Sequence, residues 1–183
     1  MSLPLFTYHA DPLGSGSVVP SDATCRSCGQ PRGYIYAGAP YAEEELERAI
    51  CPWCIANGAA ASKFHAEFVD AAGVGGYGRW DAVPDVIVRE VSQRTPGFAG
   101  WQQEQWWTHC GDAAVFLGRA GREELELRWP AAIAAVRAEA GFGADDASEW
   151  QAYFSALARD SGFTAYVFQC RHCGAHGGYS DTD

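Results

Sequence analysis

Six of the seven cysteines in this chain of 183 residues arrive as Cys-x-x-Cys steps: Cys25/Cys28, Cys51/Cys54 and Cys170/Cys173. A gap of two residues lets a tight turn aim both sulfurs at one tetrahedral ion, with Zn–S distances of about 2.3 Å. The first two steps are separated by 22 residues and together offer four soft ligands. Four thiolates complete the coordination shell and leave no position for water or substrate, so Cys25, Cys28, Cys51 and Cys54 read as a structural zinc site. Buried free thiols are the alternative, but these rarely come as two matched pairs. The odd cysteine count also disfavours a scaffold held wholly by disulfides.

The residues around these steps set a topology. Gly29 follows Cys28 and can take a positive φ, turning backbone N–H groups toward the sulfurs. The run Gly33–Tyr36 and the residues about Pro40-Tyr41 read as a hairpin turning at Gly38-Ala39-Pro40, and Glu43–Ala49 as a short acidic helix. Pro52 suits a first helical turn, where its missing N–H is no loss, so a helix is expected from Cys51 to about Phe68. Knuckle, hairpin and a helix carrying the second pair make a treble-clef-like zinc module.

Further along, Pro84–Gln93 reads as a helix with Val86, Ile87 and Val91 inward, and Ala113–Leu117 as a short strand. Helical segments follow at Glu123–Leu127, Pro130–Glu139 and Asp146–Arg159. In the last of these, Trp150, Tyr153, Phe154 and Leu157 recur at three- and four-residue steps and mark one buried face. Thr164–Gln169 is β-rich and leads into the third cysteine pair, and Tyr179–Asp183 reads as an acidic tail. The expected fold class is α+β: a treble-clef-like zinc-binding module packed on a mainly helical body with a small β-sheet. Residues 1–72 form an N-terminal arm plus the zinc module, and 73–183 a helical body with the C-terminal Cys-x-x-Cys strand segment, the two possibly one compact domain.

Cys110 is the cysteine outside the pairs. With Cys170 and Cys173 it can hold a second zinc whose fourth ligand is a His or water; His109, Asp112, His172 and His176 are near in sequence. A water there would be activated by the ion, the one route by which this chain becomes an enzyme. His109 and Cys110 are not expected to ligate together, because neighbours on an extended strand point to opposite faces. The bland reading is a degenerate half-site with Cys110 in the core. His9 with Asp11 can form an acid/base pair, though in a Pro-flanked arm such a pair is ordinarily structural. Trp101, Trp106 and Trp107 offer a recognition patch, of which one or two are expected in the core.

Thirteen Lys plus Arg oppose 23 Asp plus Glu, a formal charge of −10, and Lys63 is the single lysine. That sign repels phosphate backbones, so no nucleic-acid partner is expected. It attracts basic proteins and speeds their encounter. The N-terminus lacks a basic stretch followed by a long apolar run, and no apolar segment approaches the ~20 residues that cross a bilayer, so no signal peptide and no membrane partner are expected. A cytoplasmic protein follows, in a compartment where paired thiols bind metal more often than they oxidise. There is no Gly-x-Ser-x-Gly, phosphate loop or His-Glu-x-x-His.

Several blocks together carry a resemblance: Phe6-x-Tyr8-His9-x-Asp11-Pro12, Cys25-x-x-Cys28-Gly29 with Arg32-Gly33-Tyr34-Ile35-Tyr36, and Cys51-Pro52-Trp53-Cys54-Ile55-Ala56-x-Gly58. Arg94-Thr95-Pro96-Gly97-Phe98, Trp101-Gln102, His109-Cys110 and Cys170-x-His172-Cys173-Gly174 complete the set. Over nearly its whole length the chain resembles the CbrC family of small bacterial proteins, linked by name to colicin E2 tolerance. The resemblance implies a role in surviving a nuclease-type toxin and supplies no catalytic residue. The expectation is therefore a non-enzymatic, zinc-stabilised acidic protein that binds a basic partner such as a nuclease toxin domain. A zinc-dependent hydrolase using the C-terminal Cys/His site, or a zinc-stapled adaptor, is the alternative.

Overall fold

A computed structural model describes residues 2–160 and 162–182. Its elements in chain order are β1 (Val18–Pro20), β2 (Tyr34–Tyr36), α1 (Pro52–Ala56), α2 (Ala59–Phe64), α3 (Asp85–Arg94), β3 (Thr108–His109), β4 (Asp112–Ala113) and β5 (Val115–Ala120). Then come α4 (Arg122–Leu127), α5 (Ile133–Glu139), α6 (Ala147–Ala156), β6 (Thr164–Gln169) and β7 (His176–Asp181). Helices are mixed with small antiparallel sheets, an α+β arrangement.

The sheet β5-β6-β7 is antiparallel, with Phe116 opposite Phe168 and Tyr166 opposite Tyr179. In β6 the side-chain alternation is apolar on both faces, as in a strand covered on both sides. Tyr166 and Phe168 face an aromatic cluster with Phe98, Trp106, Phe116 and Tyr179. Ala165 and Val167 face the other way, onto Leu125, Val136, Trp150 and Phe154 from α4, α5 and α6. The body is thus built on a sheet rather than on helices alone. The expected acidic tail is a correction of the same kind: Tyr179 to Asp181 belong to β7, with Tyr179 and Asp181 buried. Asp183 lies outside the described residues.

The N-terminal arm is part of this body. Ala10 N–H donates to Phe116 O and Phe116 N–H to Tyr8 O, so the arm lies parallel along β5. His9, 1 % exposed, sits edge-on to Phe116. Its Nδ1–H donates to the Pro96 carbonyl at 2.7 Å, which leaves Nε2 to accept from the Ser15 hydroxyl at 2.8 Å. Asp11 instead accepts from Gly14 N–H, so the His9–Asp11 pair does not form. Burial pushes the His9 imidazole down to about 4 from its ordinary 6.5. Below 6.5 the unfolded chain takes up a proton that the folded one refuses, so stability falls with pH until about 4 and then levels. The drop is on the order of 3 kcal/mol. It is measured as the difference in urea stability between native protein and His9→Gln across that window. Parallel curves for the two proteins would refute the assignment.

Around the first cysteines the backbone departs from expectation in three places. β2 pairs back onto β1 of the arm, with Val18 opposite Tyr36, rather than forward to Tyr41, which bonds Glu67. Glu43–Ala49 is not helical, because its backbone is spent on neighbours: Arg26 N–H donates to Ala49 O and the Arg26 guanidinium to Glu45 O. The helix expected from Cys51 to Phe68 breaks into α1 and α2 at Gly58, which has φ +75°. Asn57-Gly58 is an ordinary helix stop. Val86, expected inward on α3, is 64 % exposed, whereas Val91 is buried.

Candidate metal centres

Two knuckles in this chain have the same backbone. In the first, Gly29 N–H donates to Cys25 O at 2.7 Å and Cys25 N–H to Gln30 O at 3.1 Å. In the second, Gly174 N–H donates to Cys170 O at 3.1 Å and Cys170 N–H to Ala175 O at 2.8 Å. Gly29 and Gly174 have φ of +70° and +74°, a conformation that costs an L-residue side-chain strain. Each knuckle therefore presents two sulfurs on one side of a tight turn, and each meets a second ligand pair from elsewhere.

At the first centre that pair is Cys51, the residue preceding α1, and Cys54 in its first turn. The donor atoms of Cys25, Cys28, Cys51 and Cys54 all lie within 4.8 Å of one another, and the Cys28 and Cys51 sulfurs are 4.0 Å apart. A tetrahedral zinc with four sulfurs needs an edge of about 3.8 Å. The donor set is thus compatible with zinc. Cys25, Cys51 and Cys54 are buried, while Cys28 faces partly outward. Four thiolates around a divalent ion carry net negative charge, and the surroundings answer it. Cys51 N–H donates to the Cys25 sulfur. Arg32 hydrogen-bonds Cys28, which raises its guanidinium further above the ordinary value, and it also covers the Trp53 ring at 5.6 Å. The Lys63 ammonium donates to the carbonyls of Arg26 and Ser27 inside the knuckle. Hydrogen bonds from Cys51 push the Cys25 thiol below its ordinary value, while that pairing and burial push the Cys51 thiol up.

At the second centre the extra pair is His109 and Cys110, and here the expectation that these neighbours diverge is corrected. Strands β3 and β4 are joined by the two-residue turn Cys110-Gly111, with φ of +55° and +71°. Positive φ at both central residues is the requirement of a type I′ hairpin. The turn folds Cys110 back beside His109, so His109 Nδ1 is 3.2 Å from the Cys110 sulfur and 3.5 Å from that of Cys173. The Cys110 and Cys173 sulfurs are 3.9 Å apart. His109, Cys110, Cys170 and Cys173 are all within 4.8 Å of one another, again compatible with zinc. Cys170 is buried, and Cys110 and Cys173 are exposed. Burial pushes the Cys170 thiol up, but the N–H of Cys173, the His109 contact and the N–H of His172 bring it down to about 6.

His172, Asp112 and His176 are not among these donors. His172 Nε2 lies 2.9 Å from Asp112 Oδ2, and Arg171 pairs with the same oxygen at 2.8 Å. Tyr8 hydroxyl donates to Asp112 Oδ1 at 2.8 Å. Burial raises Asp112, yet the Tyr8 hydroxyl, His172 and the Arg171 guanidinium together hold its carboxyl below the ordinary range. This ties the second knuckle, the hairpin and the arm together. The contact spans 104 residues of chain and has no local sequence signal. By contrast, the Cys-Gly pair at 110–111 is a turn signal that sequence reading had available.

The three tryptophans separate. Trp106 is fully buried, Trp101 is 44 % exposed with its Nε1–H on Thr164 Oγ1, and Trp107 stacks on His109 with ring centroids 5.1 Å apart. Trp107 rests on Gly177, where an added Cβ would lie 2.3 Å from the indole. Gly177→Val is therefore expected to push Trp107 and its stacked ligand aside. A zinc ion offered to this cluster is then expected to bind at least about tenfold more weakly, with binding at the first cluster unchanged, as found when groups orienting metal ligands are lost. A chelator competition that yields the same two affinities as the native chain would rule this out.

Four cavities of about 50 to 630 Å³ lie among the described residues, and none of these four is lined by any of the eight donor residues. Among the described residues no helix is long and apolar enough to cross a membrane.

The family described as "Uncharacterised protein family (UPF0167)" matches residues 3–182. A UPF0167 protein of Mycobacterium bovis and one of Mycobacterium tuberculosis are each 48% identical over 182 residues, covering 98% of this chain and 93% of theirs. A UPF0167 protein of Pseudomonas aeruginosa is 43% identical over 174 residues, covering 94% of this chain and 93% of its own. No solved structure matches the chain significantly.

Proposed function

The chain belongs to the UPF0167 family, and from that premise we propose that it is a non-enzymatic binding protein stapled by two structural zinc ions. The observation that carries this is the donor count: each cluster has four protein donor atoms within bonding reach of one ion, and neither lines any of the four cavities described among these residues. A shell closed by protein has no place for the water that zinc catalysis requires. In the first centre, a knuckle and a helix start supply two ligands each, the plan of a treble clef. The test is the metal content of the protein as purified. Two zinc per chain, with His109→Ala lowering the content by one, supports the reading. One exchangeable water on the second ion, seen by electron–nuclear spectroscopy of the cobalt-substituted protein, would favour a hydrolase instead.

The partner proposed is a basic protein, with a nuclease toxin domain the specific candidate from the CbrC resemblance. The net charge of −10 supports it, as do the exposed carboxylates of Glu43, Glu44 and Glu45. Charge complementarity of this kind raises association rates and is weakened by salt. A pull-down with such domains that yields no salt-sensitive complex argues for the zinc-stapled adaptor reading, with a partner of different chemistry.

A further inference from the structure

Against the acidic whole, three arginines converge on one small cavity of about 50 Å³. Arg119 comes from β5, Arg128 follows α4 and Arg159 follows α6. Gly14 and Gly118 expose bare backbone in its wall, and Asp11 stands at its edge. We propose that this notch is a binding site for a phosphate group, carried by free phosphate or by a small phosphate monoester.

The case rests on how the three guanidiniums are used. Arg119 is paired at 3.1 Å with Asp160, a carboxylate 68 % exposed on its side chain. Arg128 lies over the Trp129 ring at 4.6 Å, and Arg159 donates one N–H to the Gly14 carbonyl at 3.0 Å. Among the described residues, no carboxylate is within 4.0 Å of either Arg128 or Arg159. The Nε of Arg159 is buried and has no hydrogen-bond partner there. Leaving a buried charged donor unpaired costs more than a hydrogen bond returns, and like charges side by side add repulsion. An anion between them supplies both the missing acceptors and the missing charge.

The donor geometry selects among anions. One guanidinium fork already saturates a carboxylate, whose two oxygens match its paired N–H groups. Three forks arriving from three elements suit an acceptor with oxygens in three directions, which is a phosphate. Asp11 accepts from Gly14 N–H through one oxygen, so its other oxygen can take the proton of a phosphate monoanion. On the far side, Arg128 and Arg159 also line a recess of about 220 Å³ with Glu123, Glu124 and Leu127. That space admits the organic part of a monoester, and its glutamates suit hydroxyl groups. The inference is independent of both metal centres, because none of the eight ligands touches the notch.

The test is calorimetric titration of the zinc-loaded protein with inorganic phosphate, and in a second arm with glycerol 3-phosphate, at fixed ionic strength. Saturable binding is expected, weakened at least about tenfold in Arg128→Gln, the scale of one charge-assisted hydrogen bond. Arg159→Gln should weaken it further, but it also removes the tie to Gly14. Arg128→Gln, on an exposed side chain, keeps the test decisive if the other variant misfolds. Tighter binding of glycerol 3-phosphate assigns the site to monoesters, and equal or weaker binding assigns it to free phosphate. No saturable binding in either arm, acetate binding as tightly as phosphate, or unchanged affinity in Arg128→Gln overturns the proposal. Zinc content stays at its native value in both variants if the site is separate, as inferred.

Discussion

Cys51→Ser is expected to cost the protein one zinc per chain and the fold of its N-terminal third, while the second centre stays loaded. Cys51 is fully buried and precedes α1, and its backbone N–H donates to the Cys25 sulfur of the knuckle across 26 residues of chain. The surrounding cluster counts Cys25, Cys51 and Cys54 among its own buried members, beside Leu46, Ile50, Ile55 and Phe64. Between Tyr36 and Pro52 there is no regular element to hold the chain once the ion is gone. Structural zinc contributes about 10–16 kcal/mol in small fingers at neutral pH, as much as the whole stability of an ordinary domain, about 5–15 kcal/mol. Zinc counting by mass spectrometry with limited proteolysis reads both effects. A serine variant with native zinc content and native protease resistance would end the structural-site interpretation. Cys110→Ser is the informative contrast: the second cluster lies between two turns whose strands are already paired, so on the zinc reading proposed above metal is lost with much less unfolding.

Trp106→Ala is expected to destabilise the body by about 4–5 kcal/mol, the upper range for removing a buried Trp. The indole is fully buried against Phe98, Phe116 and Phe168, with centroid distances of 5.5, 6.1 and 5.8 Å. Its Nε1–H donates to the Ala114 carbonyl at 2.9 Å, so truncation leaves that acceptor unpaired as well as a void. Trp101→Ala removes a half-exposed ring with one hydrogen bond to Thr164 and should cost about 1 kcal/mol. Urea denaturation separates the two. Equal losses at both positions would mean that the aromatic cluster is not the packing centre.

Legibility tracked the range of the interaction. Both cysteine clusters are legible because Cys-x-x-Cys spacing is a local consequence of turn geometry, and Thr164–Gln169 because a run of β-branched and aromatic residues wants a covered strand. α6 was visible through Trp150, Phe154 and Leu157, whose spacing encodes one inward face. His109 beside Cys110 in one donor cluster is not legible from strand alternation, because position 110 is a turn where Cys110 takes a positive φ. Tyr179–Asp183 reads as an acidic tail because four of its five residues are polar and two of them are aspartates. In place, Gly177 and Gly178 let Trp107 and Val136 approach, and the strand is buried.

The cysteine spacing and the hydrophobic periodicity of α6 determined, on their own, that this chain carries metal-ready turns and that Trp150 and Phe154 turn inward. Those properties depend on residues a few positions apart. Tertiary structure decided which turn meets which: the arm on β5, Cys110 with His109, Asp112 with Tyr8 and His172, and three arginines around one notch. Except for Cys110 beside His109, which the local turn sets, each of these joins residues distant in sequence, and burying aromatic surface on both faces of one sheet is what brings them into contact.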